Sequence, residues 1–72
     1  MMETGILHKQ VAERIAALVS GGTFRVGDRL PSIREMSRQA QVSINTVKAA
    51  YAHLEDRCLI EARPQSGYYV CP

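Results

Sequence analysis

Long apolar runs are missing from this sequence of 72 residues. A helix that crosses a bilayer needs about 18 or more consecutive apolar residues, and no stretch approaches that length. The first ten residues, MMETGILHKQ, also lack the long apolar core of a secretion signal. Both absences predict a cytoplasmic protein that is not inserted in a membrane.

Catalytic and metal-binding patterns are missing as well. The sequence has no plausible nucleophile–base pair and no glycine-rich phosphate loop, and its two cysteines have no C-x-x-C spacing. His8 and His53 lie far apart without other candidate ligands, so we interpret both as surface residues on helices. We therefore expect neither an enzyme nor a cofactor site in this chain.

The two cysteines leave two alternatives open. Cys58 and Cys71 fall near the ends of the hairpin predicted below, so a disulfide between them is geometrically conceivable. A reducing cytosol disfavours that bond. The favoured interpretation is a pair of reduced, partly buried thiols.

Charge of one sign is scarce, because nine basic and seven acidic residues leave a net charge of only +2. The distribution is uneven, however. Residues 24–52 carry five basic and two acidic side chains, a net +3, and the remainder carries a net −1. This basic middle is a weak indication of a surface that faces a polyanion.

The length and the hydrophobic content of the chain predict one small folded domain. A chain of this length buries only about 60% of the surface that it exposes when unfolded, which suits three or four elements around a modest core. The hydrophobic fraction of 46% is ordinary for a globular domain and argues against disorder.

The first predicted helix covers about residues 6–20 and ends at Gly21 and Gly22. Its apolar stripe at helical spacing consists of Leu7, Val11, Ile15, Leu18 and Val19. The next segment, TFRVGDRLPS, is rich in turn formers. Its expected apolar anchors are Phe24, Val26 and Leu30. Residues 29–31 are expected to add a short strand to a sheet.

Two further helices are predicted over about 33–40 and 44–56. Ser32 caps the first of them, and Glu35 completes the capping box S-x-x-E. Ser43 caps the second. Only Gln41 and Val42 lie between the first of these helices and the N-cap of the second, so the two helices must cross steeply, as in a helix-turn-helix.

Residues 59–71 are predicted to form a β-hairpin. The segments LIEA and YYVC have strand composition, and RPQSG between them supplies Pro64 and Gly67 as turn formers. Three helices followed by a hairpin make an α+β fold, the winged helix-turn-helix, over residues 1–72.

The outward face of the third helix is slim and nearly uncharged. At about 100° per residue, its inward residues are Val47, Tyr51 and Leu54, and its outward residues are Asn45, Ala49 and Ala52, flanked by Lys48 and Thr46. Small residues let a helix enter a major groove, where asparagine pairs with adenine and an alanine methyl contacts thymine. Ser43 and Thr46 are candidates for phosphate contacts. Alternatively, the alanines are only good helix formers.

Two other places suit a DNA contact. Arg34, in the first turn of the second helix, can reach a phosphate, or it forms a surface ion pair of little energetic value. Arg38, one turn later, is expected to face solvent. The polar hairpin tip, Gln65, Ser66 and Gly67, can approach a minor groove, or it is a plain turn.

The sequence resembles the winged helix-turn-helix domain of GntR-type bacterial transcription regulators. The motifs are LPS-x-RE, VS-x-NTV, LE-x-x-x-LI and SG-x-x-V, and together they cover nearly the whole chain. The wing sequence ARPQSGYYV is most similar to the MocR-like branch. That resemblance implies a fused aminotransferase-like domain that binds pyridoxal phosphate, with the present chain as an N-terminal reader domain.

The resemblance implies a double-stranded DNA operator as partner. The implied DNA-binding residues are Arg34, Ser43, Asn45, Thr46, Lys48, Gln65, Ser66 and Gly67. It also implies a homodimer in the intact regulator, whereas the isolated domain, which has no obvious second apolar surface, is expected to be monomeric at low concentration. The competing interpretation is a winged helix that binds protein and not DNA.

Three residues depart from the family pattern. Ile44 stands where the family commonly has arginine, so one phosphate or guanine contact is expected to be missing. Gln41 and Cys58 stand where glycine is frequent. If those turns require a positive φ, each residue carries a strain of about 1 kcal/mol.

Overall fold

Three helices come first along the chain and two strands follow. The computed structural model describes the backbone of residues 3–72 and the burial of residues 7–72. The elements are α1 (Glu3–Ser20), α2 (Ile33–Ala40), α3 (Ile44–Asp56), β1 (Ile60–Arg63) and β2 (Gly67–Val70). The bounds of α2 and α3 coincide with the predicted ones. Helix α1 begins three residues before its predicted start near residue 6.

The core lies between α1, α3 and the inner face of the sheet. Its buried members are Val11, Ala12, Ile15, Ala16, Leu30, Met36, Val47, Ala50, Tyr51, Leu54, Ile60 and Val70. Helix α3 therefore buries the stripe that its spacing predicts. Leu18 and Val19 of the α1 stripe are only half-buried, because the last turn of α1 runs to the edge of the core.

The segment between α1 and α2 differs from its prediction. Leu30 is a core residue and Phe24 packs half-buried against the core. Val26, predicted as an anchor, is 63% exposed instead. It lies in a tight turn in which Asp28 N–H donates to Arg25 O at 2.9 Å, so its side chain points away from the core.

The two strands form an antiparallel pair, with Ile60 opposite Val70. The segment before α2 runs along the other edge of β2. Leu30 N–H donates to Tyr68 O at 2.8 Å, and Val70 N–H donates to Asp28 O at 2.9 Å. The short strand predicted near 29–31 is thus a single bridge, Arg29 opposite Tyr69.

Tyr51 ties α3 to both of its neighbours. Its hydroxyl donates to Pro31 O at 2.6 Å, and its ring packs edge-on against Tyr68 with 4.7 Å between centroids. Burial, with a smaller contribution from Tyr68, raises the pKa of Tyr51. The hydroxyl therefore stays protonated as a donor at neutral pH.

The histidines are not the isolated surface residues that the sequence predicts. His8 of α1 and His53 of α3 are half-buried, and their rings meet edge-on at 6.3 Å. The sequence does not indicate this pair, because the two histidines are far apart along the chain and only the packing of α1 on α3 brings their rings together. Among the described residues there is no group of histidine, cysteine and acidic side chains that could hold a metal ion.

Both cysteines are free thiols. Cys71 is half-buried as predicted, but Cys58 is exposed, because it lies in the turn after α3 with a φ of 61°. Desolvation and the nearby Glu61 carboxylate raise the pKa of the Cys71 thiol. A protonated thiol is a poor nucleophile.

Candidate nucleic-acid interface

The turn between α2 and α3 is locked by Ser37. Gln41 ends α2 in the left-handed region, with φ 59°, and its N–H donates to Ser37 O. Val42 N–H donates to the same carbonyl at 3.1 Å. In return, Ser37 Oγ donates to Val42 O at 2.6 Å. These bonds fix the angle at which α3 leaves α2, a role for Ser37 that no sequence motif indicates.

Replacing Ser37 with alanine should lower the free energy of unfolding by about 0.5–1.5 kcal/mol, because Val42 O loses a half-buried donor. Urea denaturation measures this change. Ser66→Ala is the matched control, since Ser66 is exposed at the hairpin tip, and a surface change there is expected to stay within about 0.5 kcal/mol. Equal effects of the two substitutions would contradict a locking role for Ser37.

The first turn of α3 holds Ser43 in a fixed orientation. Ser43 Oγ accepts a hydrogen bond from Thr46 N–H at 3.1 Å, which makes it the N-cap that the sequence predicts. It also shares a hydrogen bond with Thr46 Oγ1 at 2.9 Å. When Thr46 is the donor in that bond, the Ser43 proton remains free for a phosphate oxygen.

Thr46 differs from the other predicted contact residues because its side chain is only 3% exposed. Helical geometry predicts it on an exposed flank of α3, but in the structure its hydroxyl faces Ser43. Direct contact with a duplex is therefore not available to this side chain in the observed conformation. Its hydroxyl is instead a hydrogen-bond partner of Ser43.

The exposed side of α3 is slim and carries no acidic group in its first turn. Asn45 and Lys48 are exposed, and Ala49 and Ala52 follow them along the helix. Lys48 has no carboxylate partner among residues 7–72. Ile44, which stands where the family commonly has arginine, is 42% exposed beside Asn45. The face therefore offers one amide, one cation and several methyl groups.

Arg34 is exposed in the first turn of α2 and forms none of the ion pairs of the described side chains. The surface ion pair that was the alternative interpretation of Arg34 is absent among these side chains.

Glu35 does not complete the predicted capping box. Ser32 Oγ accepts from Glu35 N–H at 3.1 Å, but the Glu35 carboxylate pairs with Arg38 at 2.8 Å. Arg38 points to solvent as expected.

The hairpin forms a short wing with a polar tip. Ser66 N–H donates to Arg63 O at 3.0 Å and closes the turn. Gln65 has φ 65° and Gly67 has φ 123°. The positive φ of Gln65 was not foreseen from the sequence. Gln65 and Ser66 are exposed, and Gly67 is half-exposed.

Hydrogen bonds connect these three regions rigidly. The bond between Ser37 and Val42 joins α2 to the start of α3. The bond from Leu30 to Tyr68 joins the segment before α2 to the wing. The chain thus presents two helix starts and a hairpin tip as one preorganised polar surface.

Within residues 3–72, no helix is long and apolar enough to span a membrane.

This architecture is that of a winged helix-turn-helix domain. Residues 7–70 match the family of bacterial regulatory proteins called the gntR family. The chain belongs to that family, as its motifs predict.

The chain is also similar to named bacterial proteins. The HTH-type transcriptional regulator YdcR of Escherichia coli (strain K12), itself described as uncharacterized, is 45% identical over 65 residues. That match covers 90% of this chain but only 14% of YdcR, so the chain spans about one seventh of that relative. YdcR and the repressor YtrA of Bacillus subtilis (strain 168), which is 33% identical over 64 residues, are both named as transcriptional regulators.

Solved structures confirm the fold. The GntR-family transcription factor YtrA from Sulfolobus acidocaldarius is 37% identical with a TM-score of 0.85, over 90% of this chain and 68% of that one. AraR(DBD) in complex with operator ORR3 is 25% identical with a TM-score of 0.86, over 90% of this chain and 78% of that one. The second likeness is to a domain solved on its operator.

Proposed function

We propose that this chain is the sequence-specific DNA-binding domain of a bacterial transcription regulator, with α3 as the helix that enters the major groove. The exposed side of α3 carries the proposal, because it joins a base-reading amide, Asn45, to small methyl-bearing residues and to Lys48, which has no carboxylate partner among residues 7–72. The AraR(DBD)–operator complex supports the same reading.

Within this proposal the residues divide into two roles. Arg34, Ser43, Lys48 and the wing tip bind phosphates and fix the register of the domain, which supplies most of the affinity. Asn45 reads adenine, and the exposed Ile44 contacts a thymine methyl. Thr46 acts through Ser43. The competing interpretation, a protein-binding winged helix, predicts a neutral or acidic face on α3, whereas this face carries the exposed cation Lys48 and no acidic residue in its first turn.

Binding should be selective and strongly dependent on salt. Rounds of selection from a pool of random duplexes, followed by titration of the winner across salt, test this. We expect one enriched motif and a linear fall of log affinity with log salt, with a slope of about −0.9 for each phosphate contact. Undetectable binding at low salt, or affinity independent of salt, would favour the protein-interaction alternative.

We further propose that the intact regulator is of the MocR-like branch, cytoplasmic and homodimeric on two half-sites. The wing sequence ARPQSGYYV supports the branch, and the short coverage of YdcR leaves room for a large second domain. Pyridoxal phosphate would bind that domain. The only two lysines of this chain, Lys9 and Lys48, are both exposed, so neither lies in a pocket that would shield a Schiff base.

The branch assignment is tested on the intact gene product. Lysine-bound pyridoxal phosphate gives a characteristic visible absorbance, which borohydride reduction removes. Sedimentation of the same protein gives its oligomeric state. A colourless protein that contains no aminotransferase-like domain would contradict the branch while leaving DNA binding untouched.

A further inference from the structure

Arg29 is a cation that the family motifs do not assign to DNA. Its backbone is held on the edge of β2 by its bridge to Tyr69 and by hydrogen bonds from Leu30 and to Asp28. Leu30 is buried in the core at 2% exposure. Because successive side chains of an extended segment point to opposite sides, Arg29 lies on the outer side of the sheet.

The guanidinium of Arg29 lies on the wing just behind its tip. Nε is 3.2 Å and Nη2 is 3.5 Å from the place that a Cβ of Gly67 would occupy. The absence of a side chain at position 67 therefore creates the space in which this guanidinium rests. The shallow, open surface beside it is lined by Arg29, the tip residues 64–67 and Arg63.

Arg29 carries the un-neutralised positive charge on this side of the wing. Arg63, on the same side, is paired with Glu61 at 2.8 Å and stacks over the Tyr69 ring at 4.3 Å. Arg29 has no carboxylate within ion-pair distance among residues 7–72. The bridge to Tyr69 fixes its backbone and the guanidinium lies beside Gly67, so the cation is presented next to the wing tip.

We propose that Arg29 is an additional DNA contact, whose guanidinium binds a backbone phosphate where the wing meets the duplex. The inference rests on the proposed function and extends it, because it places a phosphate-binding residue just behind the tip of the wing. Arginine suits this position because its planar fork can pair with two phosphate oxygens at once. The predicted tip residues 65–67 carry no cation of their own. In this proposal Arg29 supplies the positive charge for the wing.

The test compares Arg29→Gln with the unchanged 72-residue chain on a duplex taken from directly upstream of its gene, across salt. One lost phosphate contact removes about 0.9 from the slope of log affinity against log salt. The affinity ratio between the two proteins should therefore shrink about 3.5-fold between about 50 and 200 mM salt. Arg29→Lys should keep most of the slope, because lysine also neutralises a phosphate.

Arg57→Gln is the matched control, since it changes the net charge equally. Arg57 pairs with Glu13 at 3.2 Å and lies at the opposite end of α3 from Ser43. An unchanged salt slope for Arg29→Gln, or an equal change of slope for Arg57→Gln, would overturn the inference about Arg29. In either case the proposed function still stands if the parent chain binds the duplex. Failure of the parent chain to bind at low salt would overturn both. Circular dichroism of each variant checks that it is folded.

Discussion

Replacing Tyr51 with alanine should lower the free energy of unfolding by about 3–5 kcal/mol, as for other large aromatic side chains removed from a core. Tyr51 is fully buried and joins α3, the segment before α2 and the wing. A domain of this size has a total stability of about 4–11 kcal/mol. The variant should therefore melt far below the parent chain, as measured by circular dichroism.

The more conservative Tyr51→Phe separates the hydrogen bond from the packing. It keeps the ring against Tyr68 but leaves Pro31 O without its donor, at a cost of about 1–3 kcal/mol. Tyr68→Phe is the control, because the Tyr68 hydroxyl has no hydrogen bond within the described part of the chain and its loss should cost less than about 0.5 kcal/mol. Equal losses in the two phenylalanine variants would show that the bond to Pro31 is not the source.

The pH dependence of stability gives a second readout. Because the pKa of Tyr51 is raised on folding above its usual value of 10.0, its contribution is fully present below pH 10 and is lost as pH rises beyond it. Tyr51→Phe should therefore lose less stability than the parent chain between neutral and strongly alkaline pH. A parallel decline in both proteins would contradict the assignment to Tyr51.

Local signals explain why the bounds of α2 and α3 could be read from the sequence. Ser32 and Ser43 act within three residues of themselves, and N-caps of this kind are set by chemistry near in sequence. The positive φ values at Gln41 and Cys58 were also foreseeable, because glycine is frequent there in the family. The φ angles of 59° at Gln41 and 61° at Cys58 are positive, so both residues carry the strain expected of a residue other than glycine in the left-handed region.

Contacts between distant residues explain what could not be read. Thr46 was assigned to an exposed flank because helical geometry alone places it there, yet packing buries it. Arg29 was missed because its importance depends on Gly67, thirty-eight positions later in the sequence. The role of Ser37 is not apparent from the sequence either, because its partner, the Val42 carbonyl, is brought back to it only by the folded turn after α2. Tertiary structure decides such features, whatever the local pattern.

Asn45→Ala should reduce base preference by about 1–3 kcal/mol at one position of the binding site, because a bidentate contact to an adenine edge is lost. Arg34→Ala should instead weaken binding to all sequences nearly equally and reduce the salt slope by about 1. The two side chains lie in the first turns of α3 and α2 and are both exposed. Titration of each variant against the selected duplex and against duplexes with single base changes separates the two roles.

Arg38→Ala is the matched control for Arg34, since Arg38 is exposed on the same helix but already paired with Glu35. Its salt slope should change less than that of Arg34→Ala. If Asn45→Ala leaves every base preference unchanged, another residue reads the sequence, and Ile44 beside it would be the next to test. If Arg34→Ala alters the preference for one base and not the salt slope, then Arg34 reads a base edge. The roles of the starts of α2 and α3 would then be the reverse of those proposed.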